Sequence, residues 1–192
     1  MAVRKIVFDI ETSNEAWSGE FDPLKMDLSV IAIYDSKTDE YSSYFQDELP
    51  KLWPILEKAD ILIGYNSDHF DIPVLNKYYP GDLTKIKSID LLKEIRAVLG
   101  RRLKLDSVAQ ATLGTGKSAD GLQAVRWWKE GKYEEVRNYC IDDVRITKEV
   151  YDYARKNRSL KYKDYDGIRE VKLNVSGWEK DADHALTHTL PF

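Results

Sequence analysis

The spacing of apolar and polar residues changes character along the chain. The first half carries short apolar runs that read as strands: Val3–Ile10, then Leu28–Tyr34 and Glu40–Phe45, a pair joined as a hairpin by the polar turn 35–39. Leu49–Ala59 reads as a short helix with Pro50 in its first turn and Pro54 set to shorten or kink it. Ile61–Gly64 is an unbroken apolar run flanked by polar residues, the pattern of a central buried strand. A helix follows from Asp71-Ile72-Pro73, and Ile86–Ile89 reads as a last short strand. The second half is helical: Leu91–Leu99 stopping at Gly100, Leu105 to Leu113-Gly114, a helix through Gln123 to Lys129, and a long helix from about Tyr133 to Lys156. In the long helix Val136, Tyr139, Cys140, Val144, Ile146 and Val150 form one apolar stripe. From Ser159 the pattern alternates over 161–165 and again over 171–175, as a peripheral strand does. Strands first, then strand–helix alternation, predict an α/β fold with a sheet of mixed direction.

Composition narrows the class. A chain of 192 residues, 43% hydrophobic and 32% charged, suits one globular domain with a real core. No apolar stretch approaches the roughly 20 residues that span a bilayer, so no membrane role is expected. Residues 1–5 run straight into the first strand, so no signal peptide is expected. The single Cys140 rules out an intrachain disulfide framework and fits a reducing, cytoplasmic location. Net charge is −4, so contact with nucleic acid requires a local basic patch.

The acids carry the candidate chemistry. Asp9 and Glu11 sit two apart at the end of the first strand and share a face if the strand continues. Paired like charges on a core strand cost stability unless a cation or substrate compensates. The bland alternative is that the strand has already ended and both face water. Asp71, just after the buried strand, stands at the carboxyl end where open α/β sheets hold ligands. It is equally placed to cap a helix, and taken alone the cap is the commoner use. Asp143 lies mid-helix, four residues from Tyr139 and on the apolar face, where an aspartate needs a partner or a metal. The alternative there is an ion pair with Arg137 or Lys148.

Taken together, Phe8-Asp9-Ile10-Glu11-Thr12, Asn66-x-x-x-Phe70-Asp71 and Tyr139-x-x-x-Asp143 resemble the three motifs of the DEDD (DnaQ-like) 3′→5′ exonucleases. The tyrosine of the third motif resembles the DEDDy subclass. The likeness is strongest to the proofreading domains of family B DNA polymerases and to stand-alone relatives, and Leu105–Gly114 resembles the segment preceding the third motif. It covers about residues 3 to 156.

The resemblance implies a ribonuclease H-like fold, a mixed five-stranded sheet flanked by helices, with the first three strands antiparallel. It implies that Asp9, Glu11, Asp71 and Asp143 hold two divalent cations, Mg²⁺ or Mn²⁺, which oxygen-only ligands favour over zinc. By the same likeness Asp9 bridges both ions, Glu11 and Asp143 complete one site, Asp71 supports the other through water, and Tyr139 holds the attacking water. Thr12, Asn66 and Phe70 fall where the family contacts its substrate, with Phe70 equally readable as a core anchor. The expected substrate is the 3′ end of single-stranded DNA; an RNA exonuclease and an idle binding module are the alternatives. Arg101, Arg102, Lys104 and Lys117 are candidates for a basic groove, although such a run is commonly a solvated helix edge. Of Trp127 and Trp128, one is expected in the core and one partly exposed. No polymerase domain follows within these residues, so action alone, in an oligomer or for a separate polymerase or repair partner is expected. Residues 1–158 read as the exonuclease domain. Residues 159–192 read as an extension, a peripheral strand or tail packed on the same domain, with an edge strand, a cover of the active site or a dimer contact as its uses; the exposed-looking Trp178 and the ending Leu190-Pro191-Phe192 suit a contact surface, with a packed edge the favoured reading.

Overall fold

The computed structural model describes residues 3–15, 22–116 and 121–180. Its centre is strand β1 (Lys5–Thr12), flanked on one side by β2 (Leu28–Asp35) and β3 (Glu40–Phe45), and on the other by β4 (Ile61–Gly64) and β5 (Lys87–Asp90). The sheet is five-stranded, in the order β3-β2-β1-β4-β5. The β1–β2 and β2–β3 pairs are antiparallel, and β1–β4 and β4–β5 are parallel. This is the ribonuclease H-like mixed sheet that the motifs implied.

The period of two along each strand divides the core between two faces. Ile6, Phe8 and Ile10 of β1, Ile31 and Ile33 of β2 and Leu62 of β4 pack with α1 (Leu49–Leu56) and α2 (Asp71–Leu75). Val7, Val30, Ala32, Ile61, Ile63 and Ile89 face the other way. They are covered by α3 (Leu91–Leu99), α4 (Leu105–Leu113), α5 (Gly121–Lys129) and the long α6 (Tyr133–Asn157). Helix α1 stops at Leu56, short of Ala59, with Pro54 inside it. Helix α3 ends where Gly100 takes φ +69°, a left-handed cap that glycine adopts without a steric penalty.

One boundary needs correction here. Strand β1 does not end at Ile10: it stays paired with β2 through Glu11 opposite Val30, then bulges between Glu11 and Thr12. Both acids therefore lie within the strand, on the same face as Val7. The segment after α6 adds no edge to the main sheet. Strands β6 (Ser159–Asp164) and β7 (Gly167–Lys172) form a separate two-stranded hairpin. Its Leu160, Tyr162 and Val171 join the same core as α6. Thr112 of α4 fastens β6: its hydroxyl accepts from the Lys161 amide and donates to the Lys161 carbonyl, each at 2.9 Å. Trp178 is buried, as the packed-edge reading had it, stacked on Tyr151 at 5.6 Å between ring centres. Residues 190–192 lie outside the described residues.

Candidate metal centre

Two elements bring three of the four expected acids together. The pleat of β1 turns Asp9 and Glu11 toward α6, and the buried stripe of α6 carries Asp143 on the same face as Val136, Tyr139 and Cys140. Asp9 is half-buried, Glu11 is buried and Asp143 is 1% exposed. One carboxylate oxygen from each of the three lies within 4.8 Å of the other two. Opposite oxygens around one Mg²⁺ stand about 4.2 Å apart, so modest side-chain rotation lets this trio hold a hard divalent ion. The two cations considered as partners for Asp143 also have acids of their own nearby. Arg137 faces Glu48 (3.9 Å) and Glu134 (3.6 Å), and Lys148 pairs with Asp152 (2.8 Å).

Cys140 sits within this corner but presents no soft ligand. Its thiol donates to the Asp9 carbonyl at 3.3 Å. Burial pushes the thiol well above its usual pKa, and the charges of Asp9, Glu11 and Asp143 push the same way. The donor set is thus all oxygen and fits Mg²⁺ or Mn²⁺ chemistry.

Asp71 arrives from the opposite face of the sheet. It is the first residue of α2 rather than its cap, so the capping role does not hold. Its Oδ1 accepts from the Ile10 amide at 3.2 Å, between Asp9 and Glu11 and past Val7, the last β1 residue paired with β4. The structure thus joins Asp71 to the strand that carries the first two acids.

The loop leading to Asp71 is tightly built. A Cβ on Gly64 would lie 2.5 Å from Ser67 Cβ, so only glycine lets the chain fold back directly after β4. Asn66 takes φ +68°, a left-handed conformation that asparagine tolerates. Asp90, at the end of β5, fastens this loop. Its carboxylate accepts from the amides of Asn66 (2.8 Å), Asp68 (3.2 Å), Leu92 (2.9 Å) and Lys93 (3.2 Å). Burial raises its pKa against the pull of these donors. The sequence reading missed Asp90, although an Asp just ahead of Leu91-Leu92 is a helix-capping pattern.

Other expected site residues are placed as follows. Tyr139 is buried, its ring edge-on to Trp127 at 6.2 Å. Both Trp127 and Trp128 are half-buried, so neither is the fully buried partner expected; Trp128 packs on Tyr133 at 4.6 Å and Phe45 at 6.0 Å. The Thr12 hydroxyl donates to the Asn14 carbonyl at 3.0 Å. Phe70 is half-buried against the core beneath α1 and α2. The Asn66 side-chain oxygen accepts from Arg102 at 2.7 Å. Arg101 turns away to Asp164 at 3.1 Å and lies over the Tyr162 ring. Lys104 is exposed, and Lys117 lies outside the described residues.

With this geometry in place, relatives can be compared. A family model described as the RNase_H superfamily matches residues 6–155. The chain belongs to that superfamily. Among solved structures it is similar to the family B DNA polymerase of the hyperthermophilic archaeon Pyrobaculum calidifontis, with a TM-score of 0.63 and 20% identity. The match covers 80% of this chain and 25% of the polymerase chain, a likeness of fold over a quarter of that protein. A comparison with curated protein sequences found no match. Among the described residues of this superfamily member, no helix is long and apolar enough to cross a membrane.

Proposed function

We propose that the protein is a DEDDy-type 3′→5′ exonuclease that hydrolyses phosphodiester bonds at the 3′ end of single-stranded DNA with the help of two divalent cations. The observation that carries this reading is the convergence of Asp9, Glu11 and Asp143 within 4.8 Å, at the point of β1 where Asp71 accepts from Ile10. Superfamily membership and the polymerase-like fold support it.

Asp9, Glu11 and Asp143 would hold Mg²⁺ or Mn²⁺, and Asp71 would support a second ion through water. A bound pair supplies Lewis-acid stabilisation of the attacking and leaving oxygens at phosphorus. The protein's own groups do the rest. Tyr139, its ring fixed by Trp127, positions the attacking water through its hydroxyl; a phenol with an ordinary pKa near 10 orients better than it abstracts. Asn66 and Phe70 meet the nucleotide next to the terminal one, and Thr12 lies beside the 3′ nucleotide. A separate polymerase or repair protein, or a second copy bound through residues 159–192, belongs to the same proposal.

The test uses oligonucleotides labelled at the 5′ end, as DNA and as RNA, incubated with Mg²⁺ or Mn²⁺ with and without chelator. The reading expects a one-nucleotide ladder growing from the 3′ end of DNA, abolished by chelator. A ladder on RNA alone makes the enzyme an exoribonuclease. Internal cuts or shortening from the 5′ end overturn the directionality, and intact oligonucleotides with both metals make it an idle member of the superfamily.

A further inference from the structure

The loop that delivers Asp71 also opens onto a feature outside the acid cluster. A recess of about 220 Å³ lies beside Asn66, at the carboxyl ends of β4 and β5, lined in part by Arg96 and Arg102. A larger cleft of about 860 Å³ runs beside β5, lined in part by Lys85, Lys87 and Lys180. The two share Asp68 and Lys93, so they abut. Strand β5 is an edge strand, and the cleft runs from its Lys87 and Ser88 back along the preceding Thr84–Ile86. Together the two hollows are lined by six Lys or Arg residues and only two carboxylates, Asp68 and Asp90, in a chain whose net charge is −4. Both carboxylates have structural duties. Asp90 takes backbone amides, and Asp68 binds Ser88 and Lys93 at 2.6 and 2.7 Å. Lys87 is spent on the carbonyls of Gly177 and Lys180, which closes the far wall of the cleft. Lys85, Arg96 and Lys180 are exposed, with Arg96 one turn beyond Lys93 on the same face of α3.

We infer that this trench carries the phosphate backbone of a single-stranded nucleic acid, leading the strand away from the acid cluster along the β5 edge. The inference rests on the exonuclease reading for its direction, since the trench begins at the loop between Asn66 and Asp71. Its charge stands on its own. A segregated basic stripe on an acidic protein concentrates a polyanion locally, and each phosphate neutralised releases counterions and adds salt dependence. Four residues of β5 span about 13 Å, the length of about two nucleotides of an extended strand.

The test is equilibrium binding of a fluorescent 20-nucleotide DNA strand to the full chain in chelator, where no hydrolysis interferes. Lys85→Ala with Arg96→Ala should raise the Kd about tenfold at moderate salt. It should also reduce the slope of log K against log salt by about 1.4, two single-strand phosphate contacts. Lys85→Gln alone should reduce the slope by about 0.7. Lys37→Ala with Lys58→Ala, exposed lysines elsewhere on the surface, should change neither quantity. Binding by the first double variant that matches wild type overturns the inference. So does displacement of the DNA by polyglutamate as readily as by unlabelled oligonucleotide, since that marks a surface for acidic polypeptides. A weakened variant in a protein that yields no ladder with metal keeps the trench and removes the exonuclease reading instead.

Discussion

Helix α6 meets ionisable side chains at two places and treats them in opposite ways. Toward its C-terminal end, Tyr151 and Arg155 join Lys5 around Glu179, at 2.6, 2.8 and 2.9 Å. Despite its burial, that carboxyl is held far below its ordinary range, at about 2, by hydrogen bonds from Tyr151 and Lys5 and the charges of Lys5 and Arg155. The Tyr151 phenol is correspondingly pushed up by burial and by Glu179. Near its middle the same helix carries Asp143 to Asp9 and Glu11, gathering three carboxylates within 4.8 Å beside the Cys140 thiol, which burial first and then their charges push up. The first arrangement neutralises itself and pins the segment after β7 to β1 and α6. The second gathers three like charges in a buried corner, an arrangement that a divalent cation would stabilise. One end of the helix pairs its acid with cations and a phenol, and the other sets acid beside acid.

The largest expected effect tests that contrast directly. Asp143→Asn keeps the shape of the side chain and removes one charge. Hydrolysis with Mg²⁺ should fall by at least about 10³-fold, while the metal-free protein melts no lower than wild type. Adding Mn²⁺ should raise the melting temperature of wild type but not of the variant. A metal-free variant that melts several degrees lower would erase the contrast, because the acid corner would then be a stabilising device like Glu179. Tyr139→Phe should reduce turnover by about 10²-fold with KM little changed, less than the loss of a ligand. Single-turnover rates measure this, and unchanged rates would remove Tyr139 from the chemistry.

Asp90→Ala sharpens the comparison from the structural side. It leaves four backbone amides without their carboxylate and should cost about 2–3 kcal/mol in denaturant unfolding. A loss below about 0.5 kcal/mol would show that the loop before Asp71 holds itself. The smallest effect concerns acid. Because the folded pKa of Glu179 lies below its ordinary 4.5, its contribution is fully present above pH 4.5 and is lost as pH falls toward about 2. Glu179→Gln should lower stability at neutral pH by about 1–2 kcal/mol and flatten the acid limb of the stability curve between those values. Identical acid limbs for the two proteins would show that the joint carries no net energy.

Much of the fold was readable along the chain. Helix α4 and strands β3 and β4 stand where period and punctuation put them, because Gly114, the polar turn before Glu40 and the polar flanks of Ile61–Gly64 are local signals. The spacing of Asp143 on the α6 stripe was equally local. Misjudged elements were those decided by distant partners. Strand β1 runs on past Ile10 because β2 continues beside it. The hydrogen bond from the Ile10 amide to Asp71 is likewise a contact between distant segments that no local pattern announces.

Periodicity along one strand or helix could therefore say which acids share a face, since that depends only on the geometry of successive residues. It could not say that the faces of β1 and α6 meet, that Asp71 reaches through to Ile10 from the other side of the sheet, or that basic residues from α3, the β5 edge and Lys180 align into one trench. Those facts depend on packing between segments far apart in sequence, where burial energy and unmet hydrogen-bond donors choose the partners and no local pattern records the choice.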